Sequence, residues 1–125
     1  MVRTDHVLAG DGAVLFLEKV SAALALARRS PCDPGTLTRA ARDFAQRRPG
    51  FAVEAGLLAL HWLVEGYGYE ITNLDVLAAY THTMQAAEQL GTSDETRQRI
   101  RQIVAQESVT DRFVGRSLKR VLWEG

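Results

Sequence analysis

The sequence predicts an all-α fold: about six helices joined by short turns, so that successive helices run as antiparallel αα-hairpins. Three observations predict it. Apolar residues recur at three- and four-residue spacing along most of the 125 residues, and no stretch sustains the apolar and polar alternation of a strand. Prolines and glycines punctuate these periodic stretches, at Pro31, Pro34, Pro49, Gly66, Gly68 and Gly91. Asp33, Thr72 and Thr92 stand where side chains that cap a helix N-terminus belong.

The first helix is expected over residues 12–29, burying Phe16, Leu17, Val20, Leu24 and Ala27, with a short turn before Gly10. Pro31 ends it. Asp33 and Pro34 open the second, because the carboxylate caps open N–H groups and proline at the first helical position has no N–H to orphan. That helix, to Arg47, carries Leu37, Ala40, Ala41 and Phe44 on one side and Arg39, Arg42, Asp43 and Gln46 on the other. Pro49 disfavours helix at Arg48, so the third starts near Gly50 and reaches Glu65. It is apolar almost all round, through Phe51, Val53, Leu57, Leu58, Leu60, Trp62, Leu63 and Val64, which places it at the centre of the fold.

Gly66 and Gly68 stop the third helix, and Thr72 with Asp75 makes a capping box for the fourth, with Ile71 and Val76 as its hydrophobic staple. The fourth runs to Leu90 with Leu74, Leu77, Tyr80, Met84 and Ala87 inward, and Gly91 ends it. Thr92 and Glu95 form a second capping box for a fifth helix that buries Thr96, Ile100, Ile103 and Val104, leaving Arg97, Arg99 and Arg101 on other faces. A sixth, over residues 111–123, buries Val114, Leu118, Val121 and Leu122. Arg112, Arg116, Lys119 and Arg120 gather within about 100° opposite.

At 125 residues a single domain is expected. Its helices satisfy two arrangements: a short superhelix of stacked hairpins of the HEAT or armadillo kind, preferred because the fully apolar helix has a hairpin on each flank, or a compact bundle. No repeating signature runs along the chain.

Cys32 is the only cysteine, which excludes an intrachain disulfide and a zinc site built from thiolates. The apolar run over residues 13–27 is broken by Glu18 and Lys19, and the fourteen-residue run FAVEAGLLALHWLV contains Glu54 and His61. A soluble, cytoplasmic protein that does not span a membrane is the expectation.

Net charge is zero but unevenly spread. Residues 1–49 hold eight Lys/Arg against five Asp/Glu, residues 50–96 hold seven Asp/Glu and no Lys/Arg, and residues 97–125 hold seven Lys/Arg against three Asp/Glu. Such blocks pair within a fold or between molecules.

The stretch HWLVEGYGYEITNLDV concentrates the reactive side chains. His61 and Glu65 have the i, i+4 spacing of metal ligands, with Glu70 or His82 as a third. Tyr67 and Tyr69 are candidates to line a pocket with Glu65 and Glu70, where acid-base catalysis requires a desolvated cleft. Against both, the same residues read as a helix stop followed by a helix start. Glu54, His61 and Glu65 are then the polar stripe of an otherwise buried helix.

There is no HExxH, GxSxG, GxGxxG, phosphate loop or CxxC, so no cofactor is implied and no catalytic residue is assigned. The basic stripe of Arg112, Arg116, Lys119 and Arg120, with Arg97, Arg99 and Arg101 near in sequence, is a candidate phosphate-tracking surface. The neutral total and acidic middle argue against nucleic acid. The reading that remains is a non-enzymatic interaction domain that holds another protein or a second copy of itself. Nucleic-acid binding through the basic helix is the first alternative, and a small enzyme or metal-binding protein around His61 and Glu65 the second.

Overall fold

The computed structural model describes residues 22, 24–26, 28–107 and 112–124. Two compact units divide the chain, Met1–Ser30 and Pro31–Gly125. In the first, the described residues from Ala22 to Arg29 are helical and the N–H of Ser30 bonds the carbonyl of Leu26 at 2.9 Å. The turn expected before Gly10 and the burial expected of Phe16, Leu17, Val20 and Ala27 lie outside the described residues.

The second unit contains five α-helices: α1 (Pro34–Phe44), α2 (Pro49–Val64), α3 (Asn73–Leu90), α4 (Ser93–Ala105) and α5 (Phe113–Lys119). A π-helical turn, Arg120–Glu124, follows α5. No strand occurs among the described residues. The all-α expectation is met, and within this unit a compact bundle, the alternative to the stacked superhelix, fits. Helices α1, α3, α4 and α5 all close on α2. Eleven of its sixteen residues are buried as a result, including Leu57, Leu58, Leu60, Trp62, Leu63 and Val64. In a side-by-side stack each repeat touches its neighbours only.

Local chemistry sets the helix starts as the sequence implies. An Asp33 carboxylate oxygen accepts from both the N–H and the hydroxyl of Thr36 at 3.0 Å, and Pro34 is the first residue of α1. Leu37, Ala41 and Ala45 are buried, and the Phe44 ring meets Phe51 of α2 edge to face at 5.1 Å between centroids. Asp75 completes the box at the start of α3 by accepting from the Thr72 N–H at 2.7 Å and the Thr72 hydroxyl at 3.1 Å.

Thr92 behaves otherwise. Its side chain does not cap α4 and lies 3.4 Å from the Thr96 hydroxyl, so the box expected with Glu95 does not form.

The inner face of α3 also differs from expectation. Val76, Ala79, Thr83, Ala86 and Ala87 are buried, while Leu74 is 76% exposed and Leu77, Tyr80 and Met84 are only half-buried. Small residues face α2 because the two helices approach closely at Gly56. A Cβ placed there would overlap the Thr83 hydroxyl and stand 2.9 Å from the Thr83 Cβ. The Thr83 hydroxyl is satisfied by the Ala79 carbonyl at 2.6 Å within its own helix, which lets a polar side chain sit fully buried.

No described helix is long and apolar enough to cross a membrane.

Candidate functional site

The corner between α2 and α3 is where the sequence concentrates its reactive groups, and its backbone explains most of them. Gly66 adopts a left-handed φ of 95°, its N–H bonds the Leu63 carbonyl at 3.0 Å, and the Tyr67 N–H bonds the Trp62 carbonyl at 2.9 Å. These two bonds are the Schellman ending of a helix, and its accompanying hydrophobic contact is present as the Trp62 and Tyr67 rings, edge to face at 5.4 Å. Tyr67 is thereby a structural clasp. Glu70 occupies the left-handed region at φ 49°, an unfavourable conformation for a residue with a Cβ.

The five candidate pocket residues do not share one cavity. His61 is half-buried and lines a recess of about 270 Å³ with Arg99, Gln102 and Ile103 of α4 and Gln106 just after it. Tyr67 lines a different cavity, of about 350 Å³, with Leu63, Gly66, Gly68, Ile71, Glu107 and Phe113. Glu65, Tyr69 and Glu70 are exposed and line neither, with Tyr69 at 84%. Among the described residues no group of three or more His, Cys, Asp and Glu could hold a metal ion, so His61, Glu65, Glu70 and His82 form no such centre.

The polar stripe of α2 has another use: it faces α4. Glu54 accepts two hydrogen bonds from the Arg99 guanidinium, at 2.8 and 3.1 Å, and His61 follows two turns later against the same helix. Hydrogen bonding to Glu54 is the main reason that the Arg99 guanidinium is held above its ordinary value, with burial opposing and the Glu54 charge adding to it.

Arg97 and Arg101 are likewise engaged within the fold. Arg97 donates to the Tyr80 hydroxyl at 3.4 Å and to Asp94 at 3.3 Å, which raises its own pKa against a smaller opposing effect of burial. Arg101 donates twice to the Leu122 carbonyl, at 3.2 and 2.7 Å, and lies 5.0 Å from the centre of the Trp123 ring. Three alternate arginines of α4 thus reach three elements: α3, α2 and the π-helical turn.

Arg112, Arg116, Lys119 and Arg120 are all exposed. The continuous helix assumed for their common stripe is interrupted at both ends. Arg112 has a left-handed φ of 50° ahead of α5, and Arg120 begins the π-helical turn. Only Arg116 and Lys119 sit on regular α-helix, three residues apart. A hydrogen bond of 2.8 Å from the Ser117 hydroxyl to the Asn73 side-chain oxygen fixes α5 against the first residue of α3.

The residue that sequence reasoning missed is Glu107. Only 6% exposed, it offers one carboxylate oxygen to the Val114 N–H and the other to the Gly115 N–H, both at 2.9 Å, and so caps α5 from seven and eight residues upstream. A glutamate between two helical stretches looks like a solvated loop residue. The only available signal was the lack of a capping side chain immediately before Phe113, where the cap position is taken by Arg112.

No family model matches the chain, and neither does any curated protein or solved structure.

Proposed function

We propose that the protein is a non-enzymatic helical interaction domain and that its partner surface lies on the α2–α3 corner and the end of α5, with a second copy of the chain as the favoured occupant. The observation that carries this reading is a set of large apolar side chains left in solvent beside segregated charge. Tyr69 is 84% exposed, Leu74 76% and Trp123 60%, amid exposed Glu65 and Glu70 on the corner and exposed Arg116, Lys119 and Arg120 on the C-terminal segment. Exposed aromatic and aliphatic side chains accompanied by charged ones are a composition that interfaces share. One chain carries both signs, so two copies related by a twofold axis place each acidic corner against the other's basic end. Among the described residues, Glu54 of the acidic block pairs with Arg99 and Asp94 with Arg97.

Sedimentation across a hundredfold concentration range, about 100-fold as a practical span for separating micromolar from weaker association, tests it. Self-association that weakens with salt and is lost in Leu74→Asp and in Arg116→Glu/Arg120→Glu supports the proposal. A chain that stays monomeric at low salt, or a dimer insensitive to both variants, rejects it.

A further inference from the structure

The cavity bounded by Leu63, Gly66, Tyr67, Gly68, Ile71, Glu107 and Phe113 is not explained by the helix-ending chemistry of the corner. At about 350 Å³ it falls within the range of small-molecule sites, roughly 300 to 1,000 Å³. Exposed Gly66, Tyr67 and Gly68 line it on one side, and buried Leu63 and Glu107 line it as well. Its walls are aliphatic at Leu63 and Ile71 and aromatic at Tyr67 and Phe113. Among the described residues that line it, the one charged group is Glu107.

That carboxylate is in an unusual electrostatic position. Buried ionised groups are ordinarily compensated by an opposite charge, because removing a carboxylate from water is expensive. Among the described residues Glu107 has two neutral backbone N–H partners, on Val114 and Gly115, and forms no ion pair. Each carboxylate oxygen has two acceptor directions, and one N–H on each leaves acceptor capacity.

We propose that this cavity binds a primary amine carried on an apolar body, with the ammonium group donating to Glu107 and the body packed between Tyr67, Ile71 and Phe113. The chemistry selects this class. An anion is repelled by the Glu107 carboxylate. A neutral apolar molecule fills the walls but leaves the charge uncompensated, and a quaternary ammonium supplies charge without a donor. A primary ammonium supplies both, and aromatic rings in the wall attract it further.

The test uses the full chain with three probes of one shape: 2-phenylethylamine, 2-phenylethanol and phenylacetate, titrated by calorimetry and by chemical-shift mapping. Expected is saturable binding of the amine, with shifts at Tyr67, Glu107 and Phe113, at least tenfold weaker binding of the alcohol and none of the acid. Ile71→Phe fills the cavity and abolishes amine binding, with its fold verified by helical circular dichroism and a cooperative melt. Glu107→Gln removes the preference for amine over alcohol. Should that variant fail to fold, the amine-to-alcohol ratio of the natural chain and the Ile71→Phe result decide by themselves. Equal affinity for amine and alcohol, no binding of the amine, or amine binding undiminished in folded Ile71→Phe each overturns the proposal.

Discussion

Gly56 of α2 lies directly against Thr83 of α3, with no room between them for a methyl group. The closeness of this crossing decides which face of α3 is buried. Gly56→Ala is expected to force the helices apart and to cost about 1 to 3 kcal/mol, the usual range for overpacking a filled core. Chemical denaturation measures it. Combining Gly56→Ala with Thr83→Ala removes the hydroxyl from the overlap, so the double variant should lose less than the sum of the two single losses. Strict additivity would mean that the two side chains do not meet.

The paired hydrogen bonds between Arg99 and Glu54 join residues 45 apart in sequence, yet the Arg99 side chain is 51% exposed. Solvent screening limits the pair to at most about 1 kcal/mol, and Arg99→Ala or Glu54→Gln should lower stability by that amount or less at low salt. The deficit should shrink in concentrated salt. The Arg99 pKa is raised in the folded chain, so its contribution is full at every pH below the unfolded value and is lost only as pH rises through the folded one. From neutral to mildly alkaline pH, the natural chain and Arg99→Ala should therefore differ by a constant amount. A difference that changed steeply between about pH 7 and pH 9, where an arginine does not titrate, would contradict the assignment.

Glu107 holds the start of α5 by two charge-assisted bonds. Glu107→Ala leaves the buried Val114 donor and the part-buried Gly115 donor without acceptors and should cost about 1 to 3 kcal/mol, whereas Glu107→Gln retains one acceptor oxygen and should cost less. Amide hydrogen exchange locates the effect. Val114 and Gly115 should lose protection first, and unchanged protection there would show that Glu107 does not cap α5.

Glu70 offers a way to tell a strained turn from an active-site carboxylate. Its left-handed backbone favours glycine, so Glu70→Gly should stabilise the protein or leave it unchanged, within about 1 kcal/mol, as a thermal melt reads it. A marked loss of stability would mean that the side chain makes an interaction the exposed position does not provide.

Arg101 ties the C-terminal π-helical turn to α4 through the Leu122 carbonyl and the Trp123 ring. Arg101→Ala should release that turn while α1 to α4 stay folded. Faster exchange confined to residues 120–124 and a changed Trp123 fluorescence, resolved in a Trp62→Phe background, are the expected signatures. Exchange that accelerates throughout α2 would instead make Arg101 a determinant of the whole bundle.

Much of this architecture was legible in the sequence because helix boundaries are local. Asp33 reaches Thr36, Thr72 reaches Asp75, and Gly66 takes a left-handed conformation, all within a few residues, so residue identity and spacing suffice to place them. The character of α2 was equally readable, since a helix apolar on every side has nowhere to go but the centre. The corner after it was correctly legible as a helix stop and start.

What remained hidden depends on partners far along the chain. Periodicity put Leu74 and Met84 inside α3, but the inner face went to Ala79, Thr83 and Ala86, because the distance between two helices is set by residues on both and Gly56 permits a close approach. The same holds for Arg97, Arg99 and Arg101, which read as one basic cluster and are spent on three separate elements, and for Glu107, whose acceptor role exists only once the chain has turned back on it. Sequence alone determined where α1 and α3 begin and where α2 and α3 end, through contacts that the chain makes with itself within a few residues. Tertiary structure alone decided which faces meet and which charges are buried, because those energies belong to pairs of residues that only folding brings together.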